Sequence, residues 1–428
     1  MTRSVRVGLL GCGHVGGALA QLLLDDGDAI QERTGLRLEL VAVAVRSVTK
    51  ERTAAVPQAV LTHDAQAVVN DSDVDVVVEV IGGIEPARGL ILEALKAGKP
   101  VVTANKELLA NVGAELFETA AASGVDLLFE AAVGGGIPLI RVLRESLAGE
   151  RIQRVIGIVN GTTNYILTRM AEGGASYHDA LAEAQGLGYA ERDPTADVEG
   201  YDAAAKAAIL GSIAFGIRTV AGDVYREGIS ELTLADVSYA ARLGYVIKLL
   251  AVVERVNGDE VAVRVHPAML PVTHPLSSVR DSFNAVFVEG DAVGELMLLG
   301  RGAGGMPTAS AVLGDLIDAS HNLLSGGSGR TVTLRPATIR PIDDLLSEYY
   351  LNIEVADRPG VLAAVAGVFG QHRVSIRSME QEGLGDEARL VFITHTARES
   401  DVQACLHDLR RLDVVDRIGG MLRVVGSR

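Results

Sequence analysis

Three patterns predict a mixed α/β chain of three domains. Short apolar runs alternate with helical ones from Val5 to Ala131, the order of a parallel sheet covered by helices; a glycine-punctuated turn, Gly11-Cys12-Gly13-His14-Val15-Gly16, joins the first run to the first helix; and from residue 348 the runs follow a β-α-β-β-α-β order. The first two indicate a Rossmann-type dinucleotide-binding domain over 1–135, completed by a returning segment near 300–324. An α+β domain spans 136–324, a linker 325–347 and a ferredoxin-like domain 348–424.

At 428 residues the chain is long enough for each domain to bury its own core. Lys plus Arg number 39 against 55 Asp plus Glu, a net charge of −16 that repels polyanions, so nucleic acid is not an expected partner. The only cysteines, Cys12 and Cys405, support neither a disulfide framework nor a cysteine-based zinc site, which suits a reducing cytoplasm. Arg3 and Arg6 before an apolar stretch mimic a signal peptide, but Gly8, Gly11, Gly13, Gly16 and Gly17 break that stretch where a strand, a turn and a helix would be. No apolar run reaches the roughly 18 residues of a membrane span, and no membrane partner is expected.

Val5–Leu10 reads as a buried strand and Gly11-x-Gly13-x-x-Gly16 as the turn beyond it. The first glycine permits the turn, the second lets the backbone approach a pyrophosphate and the third lets helix pack on strand, with the phosphate at the helix N-terminus. His14 shapes that turn or faces solvent and carries no chemistry of its own; with Val15 it counts among the cofactor-loop residues. Leu38–Val45 is the second strand. Near its end such folds carry an acid for the ribose hydroxyl, whereas here stand Arg46 and Lys50, which suit a 2′-phosphate and favour NADP over NAD, unless both are ordinary surface cations. Val74–Ile81 is a third strand, Pro86 to Gly98 a helix and Pro100–Thr103 a fourth strand. Thr103-Ala104-Asn105-Lys106 follows at the carboxyl edge where these sheets bind ligands, which makes Thr103 a cofactor candidate and Lys106 a site candidate, the alternative being a solvated lysine at a helix start.

Val125–Ala131 is read as another strand, followed by Ala132-Val133-Gly134-Gly135-Gly136-Ile137-Pro138. With Glu130 this loop either holds a small hard cation through oxygen ligands or serves as a flexible crossover. Ile152–Val159 leads into Asn160-Gly161-Thr162-Thr163-Asn164-Tyr165, a polar turn that caps the next helix and offers hydroxyls or amides to a substrate. The segment from Gly186 to Lys206 is a broken polar loop that crowds Glu191, Asp193, Asp197, Glu199 and Asp202 before an alanine-rich helix. Lys206 follows Asp202 by four residues, one turn later on the same face, within a helix apolar nearly all round. Burial would lower the lysine pKa and a carboxylate would raise it, a balance suited to proton transfer; the alternative is a surface ion pair.

Beyond Lys206 a helical stretch is expected to about Val253, then strands at Val261–Val265 and Ala285–Val288. A second glycine loop, Gly300-Arg301-Gly302-Ala303-Gly304-Gly305-Met306-Pro307-Thr308, opens another helix and could return to the cofactor. After the Ser325-Gly326-Gly327-Ser328-Gly329 linker come a strand at Tyr349–Val355, a helix begun by Asp357-Arg358-Pro359-Gly360-Val361-Leu362, strands near Val374–Glu382 and Arg389–Thr396, a helix over Ser400–Arg411 and a short strand near Val414.

Taken together and in this order, the glycine loop, Thr103 to Lys106, Asn160 to Tyr165, Gly186 to Lys206, Gly302 to Thr308 and Asp357 to Gly360 resemble homoserine dehydrogenase in the monofunctional form with a C-terminal ACT domain. The glycine loop begins within a dozen residues of Met1, which sets the likeness apart from the form fused behind an aspartate kinase. The resemblance implies reversible NAD(P)-dependent interconversion of L-aspartate 4-semialdehyde and L-homoserine, on the route to threonine, methionine and isoleucine. It implies a cytoplasmic homodimer or homotetramer whose 136–324 domain binds substrate and oligomerises. By the same likeness Lys206 is the proton donor, Asp202 orients it, and Glu191 with Asp197 binds the substrate ammonium, aided by Gly188, Tyr189 and Thr162. Lys106 sits beside the reacting carbon, and Gly188 and Gly304 join the cofactor set. Glu130 with the carbonyls of Val133, Gly135 and Ile137 resembles a structural sodium site. The ACT segment resembles a threonine sensor, with Asp357, Pro359, Gly360, Val361 and Leu362 at the effector loop.

Two rivals lack a residue they need or leave one unused. A semialdehyde dehydrogenase that acylates a thiol would need a cysteine in the substrate domain, and Cys12 and Cys405 lie elsewhere. A non-enzymatic nucleotide or amino-acid sensor has no use for the Asp202 and Lys206 pair.

Overall fold

Apolar strands buried on both faces need helices above and below, and the chain supplies them in alternation. The computed structural model describes residues 3–49, 54–258, 260–336, 338–383, 385 and 387–426. The chain divides into two units, one of Met1–Val155, Ala205–Asp223 and Asn284–Ala337, the other of Ile156–Ala204, Val224–Phe283 and Thr338–Arg428.

The first unit holds a parallel sheet of six strands: β1 (Arg3–Leu10), β2 (Leu36–Ala44), β3 (Leu61–Thr62), β4 (Val76–Glu79), β5 (Val101–Thr103) and β6 (Leu127–Leu128). Their order is β3-β2-β1-β4-β5-β6, the doubly wound arrangement, so the direction of winding reverses between β1 and β4 and opens a crevice at their carboxyl ends. Val5, Val7 and Leu9 of β1 share a core with Leu19 and Leu23 of the helix His14–Asp25. Truncating one such leucine to alanine costs about 2–5 kcal/mol. Ala309, Val312, Leu316 and Ala319 of the helix Gly305–Leu324 enter the same core, so this late segment packs on the sheet formed by the first 130 residues.

The expected strand Val125–Ala131 is mostly absent. Only Leu127–Leu128 pairs, and Glu130–Ala132 forms a 3-10 turn in which Glu130 aims its carboxylate at the backbone N–H groups of Leu139, Ile140 and Arg141. The expected linker also begins as packed structure. Asp126 accepts hydrogen bonds from the Gly329 N–H and the Asn322 amide, both at 2.7 Å, and Arg144 donates to the Arg330 carbonyl at 3.0 Å.

In the second unit Tyr245–Arg255 pairs antiparallel with Glu260–Pro271, where a helical stretch to Val253 was expected. The helix Tyr201–Phe215 ends well before Val253, with Lys206 and all of it that follows Ala204 counted in the first unit, and Leu234–Arg242 is a separate helix of the second unit with a capping box at Thr233 and Asp236. Tyr245–Arg255 is buried over seven consecutive residues, so it has neither the alternation of a half-exposed strand nor a helical stripe, and its Leu, Ala and Lys content misleads. Glu260–Pro271 pairs in turn with Val415–Val424, which was expected only as a short strand. Leu346–Ala356, Glu387–Thr394 and Ile376–Gly383 follow, so the C-terminal β-α-β-β-α-β module extends the sheet of the preceding domain. Tyr349, Leu351, Ile353 and Val355 face the module's own core, while Tyr350 and Asn352 on the opposite face donate to Asp236 at 3.2 and 3.0 Å. The strand Leu346–Ala356 is thus buried on both faces over Tyr349–Ile353.

Candidate active site

The glycine loop lies in the first unit. Gly11 has φ +99° and its Cα faces the Val80 carbonyl, while a Cβ on Gly16 would fall 2.1 Å from the Gly11 carbonyl oxygen. Both positions therefore require glycine, which lets the helix His14–Asp25 start directly under the turn with its N-terminal N–H groups toward the crevice. Gly13 and His14 are exposed and Val15 half-buried, leaving the middle of the loop accessible. The second glycine loop does return here: a Cβ on Gly305 would stand 3.1 Å from the His14 carbonyl oxygen, beside the exposed Gly304 at φ +129°. Arg46 is exposed two residues beyond β2, and Lys50 lies outside the described residues.

The crevice floor rests on Glu79, a fully buried carboxylate at the end of β4. One oxygen accepts the N–H groups of Ile81 (2.7 Å) and Gly82 (3.2 Å) and the other the Thr103 hydroxyl at 2.7 Å. Thr103 also accepts the Asn105 N–H, and Asn105 caps the helix Lys106–Ser123 through Leu108. Thr103 thus holds the turn that presents Lys106, a half-buried residue in the first turn of that helix. Glu79 carries no motif of its own and was missed; its only sequence signal is an acid ending an apolar strand.

Asn160, Asp197 and Asp202 lie in the second unit. Asn160 caps the helix Gly161–Gly173 by accepting the Thr163 N–H at 2.9 Å, and its amide nitrogen donates to Asp197 at 2.7 Å and to Asp202 at 2.9 Å. One buried side chain therefore gathers two carboxylates that lie 37 and 42 residues away. Thr162 donates to the Tyr189 carbonyl at 2.6 Å and the Tyr165 and Tyr189 rings stack at 5.0 Å, which fixes the loop that follows Gly188, itself at φ +77°. Asn164 is not spare for a ligand: its amide reaches the carbonyls of Val279, Asp281 and Phe283 and its oxygen accepts from the buried Lys248. Glu191 is exposed, Asp197 half-buried and Asp202 buried.

Tyr201–Phe215 is one continuous helix, with Asp202 in its first turn and Lys206 one turn later. Lys206 is only 8% exposed, and Ala203, Ala204, Ala207, Ala208, Ile209 and Leu210 around it are all buried.

The three-glycine loop is shaped by contact. Gly134 and Gly135 have positive φ, and a Cβ on Gly135 would fall 2.4 Å from the Gly302 carbonyl oxygen, so the loop and the second glycine loop pack backbone to backbone. Val133, Gly135 and Ile137 are buried, and the Ile137 carbonyl accepts the Leu139 N–H at 2.8 Å. Both Glu130 carboxylate oxygens are engaged by N–H groups, so a cation here would depend on main-chain oxygens. Burial raises the Glu130 pKa against those donors, and burial pushes neighbouring Asp315 up to about 7 although it accepts the Glu130 N–H. Among the described residues no three His, Cys, Asp or Glu side chains are placed to hold a metal ion.

At the start of the C-terminal module's first helix, Asp357 and Pro359 are exposed, Gly360 has φ +91°, Val361 enters the module core and Leu362 is 36% exposed. No described helix is long and apolar enough to cross a membrane.

The family pattern described as the homoserine dehydrogenase NAD-binding domain matches residues 11–130, that of homoserine dehydrogenase itself matches 138–317, and that of the ACT domain matches 349–414. The chain is 50% identical to the homoserine dehydrogenase of Corynebacterium glutamicum over 98% of its own length and 96% of the relative's. Its fold is similar to a crystal structure of a homoserine dehydrogenase from Thiobacillus denitrificans, with a TM-score of 0.93 and 42% identity over 99% and 98% of the two chains. A hyperthermophilic archaeal homoserine dehydrogenase mutant in complex with NADPH matches 74% of this chain and 98% of its own, at a TM-score of 0.62 and 31% identity. With a doubly wound nucleotide sheet, a lysine helix led by paired carboxylates and a C-terminal ACT module, the chain belongs to the homoserine dehydrogenase family of NAD(P)-binding oxidoreductases.

Proposed function

We propose that the protein interconverts L-aspartate 4-semialdehyde and L-homoserine, with Lys206 as the proton donor and acceptor. The observation that carries this reading is the Asn160 amide bonded to both Asp197 and Asp202 at the start of the helix on which Lys206 is buried. Bound NADPH or NADH supplies the hydride. As negative charge grows on the aldehyde oxygen, the Lys206 ammonium stabilises it and delivers the proton, lowering two parts of the barrier together. In the reverse direction neutral Lys206 accepts the hydroxyl proton. Asp202, one turn earlier, orients the amine and favours its charged form. Asp197 and Glu191 receive the substrate ammonium, with Gly188, Tyr189 and Thr162 shaping that end. Lys106 lies beside the reacting carbon.

NADP is the favoured cofactor, because exposed Arg46 stands where an acid would bind the ribose hydroxyl and a relative is known in complex with NADPH. A structural sodium ion at Glu130 and the carbonyls of Val133, Gly135 and Ile137 belongs to the same reading, with the Glu130 carboxylate accepting backbone N–H groups of residues 139–141 beside it. Threonine acting at Asp357 to Leu362 is the proposed effector, and the setting is the cytoplasmic synthesis of threonine, methionine and isoleucine by a homodimer or homotetramer. The division into a nucleotide domain over 1–135 with a returning helix, a substrate domain over 136–324 and an ACT domain over 348–424 accompanies this reading. Purified protein mixed with aspartate 4-semialdehyde and either reduced nicotinamide tests it. Semialdehyde-dependent oxidation, faster with NADPH, is expected; no oxidation with either cofactor would refute it.

A further inference from the structure

A short segment of the second unit grips both the acidic loop and the ACT module. Arg226 donates to the Glu199 carbonyl at 2.7 Å, and its guanidinium carbon lies 3.4 Å from the centroid of the Tyr201 ring. Ser230 donates to the Glu199 carboxylate at 2.6 Å and the Ile229 N–H to the Val198 carbonyl at 2.8 Å. A Cβ on Gly228 would fall 2.5 Å from the Val198 carbonyl oxygen, so the two backbones meet as closely as glycine allows. Tyr201 opens the helix whose second residue is Asp202. On its other side the segment presents Glu227, whose carboxylate oxygens each accept from Arg423 at 3.0 Å. Arg423 is 2% exposed and also donates to Glu399 at 2.8 and 2.7 Å.

A cation at a helix N-terminus works against the helix dipole, so helix stability is a poor reason for an arginine there. Its planar group instead does two positioning jobs at once: it satisfies a carbonyl just ahead of the helix and lies flat against the first side chain of that helix. We infer that Arg226 is a positioning residue that holds Asp202 where it orients the Lys206 amine, and that the ACT module braces it through Arg423 and Glu227. The inference rests on the proposed role of Asp202. It makes the ACT module a structural part of the substrate site even with no effector bound.

The test measures kcat and KM for homoserine, and the Kd of NADP, for Asp202→Asn, Arg226→Met, Tyr201→Ala, the Arg226→Met/Tyr201→Ala double variant and Glu227→Gln. Arg226→Met and Tyr201→Ala should each lower kcat/KM by about tenfold, mainly through kcat, with nucleotide affinity unchanged; the double variant should lose little more than the worse single one. Glu227→Gln should lose a few-fold. Full activity in Arg226→Met beside a crippled Asp202→Asn overturns the inference alone, whereas full activity in Asp202→Asn overturns the functional reading beneath it. Losses that multiply in the double variant overturn the clamp, and wild-type kinetics in Glu227→Gln overturn the brace. If Arg226→Met does not fold, Arg226→Lys, which keeps the charge without the planar fork, takes its place in the same cycle with the half-exposed Tyr201.

Discussion

Replacing Asn160 by Asp isolates the contact that gathers the two carboxylates. Aspartate caps a helix about as well as asparagine, so acceptance from the Thr163 N–H survives. The donors at 2.7 and 2.9 Å to Asp197 and Asp202 are lost and a third negative charge stands between the other two. Hydrogen bonds to charged groups contribute about 1.5–3 kcal/mol each, and at roughly 1.4 kcal/mol per tenfold the loss of two corresponds to at least about 100-fold. The expected readout is a fall of about that size in kcat/KM for homoserine, with nucleotide affinity unchanged because the glycine loop is untouched. Asn160→Ser should keep the cap, put one shorter hydroxyl in place of the two amide N–H donors and add no charge, and should fall between Asn160→Asp and wild type. An Asn160→Asp enzyme within threefold of wild type would refute the reasoning, since the paired carboxylates would then need no common partner.

Gly16→Ala places a methyl 2.1 Å from the Gly11 carbonyl, so the turn must open and nucleotide binding, followed by fluorescence titration, should weaken by about 100-fold or more. Asp315, pushed up to about 7 by burial, binds its proton more tightly folded than unfolded. The stability this contributes is complete below the ordinary carboxylate pKa and lost as pH rises through about 7, a difference of at most about 4 kcal/mol. Asp315→Asn should therefore gain thermal stability relative to wild type between pH 5 and 8, and a difference independent of pH would contradict this. Asp357→Ala, at an exposed loop position, should abolish inhibition by threonine while leaving uninhibited turnover unchanged; equal sensitivity would remove the effector assignment. Cutting the chain after Leu324 is a poorer test, because it strips Val415–Val424 from the strand Glu260–Pro271 and so changes the substrate domain as well.

The nucleotide fold was legible because its constraints are local: Gly11, Gly13 and Gly16 sit within one turn of each other, between a strand and a helix that each show in the pattern. The helix of Asp202 and Lys206 was legible for the same reason, as alanines on all sides announce burial. What sequence reading missed depends on distant partners. Asn160 reads as a helix cap, and nothing nearby reveals its donors to two carboxylates. Arg226 and Glu227 read as ordinary charges until Tyr201 and Arg423 are brought against them. Tyr245–Arg255 was misread because a strand buried on both faces carries no period, and the strand Gly294–Arg301 escaped notice beside a glycine loop that drew the eye. The Ser325–Gly329 stretch has a linker's composition, yet Asp126 holds it in place.

Whether the buried Lys206 amine exchanges the proton with the substrate oxygen, as proposed, is decided by the Lys206→Ala variant when single-turnover rate and nucleotide affinity are measured on the same preparation. General acid–base catalysis contributes about 10²–10⁴-fold, and stabilisation of the developing oxyanion adds to it. The expected rate is lower by at least about a thousandfold with the Kd of NADPH unchanged. A folded Lys206→Ala enzyme that reduces aspartate 4-semialdehyde within tenfold of the wild-type rate would contradict it.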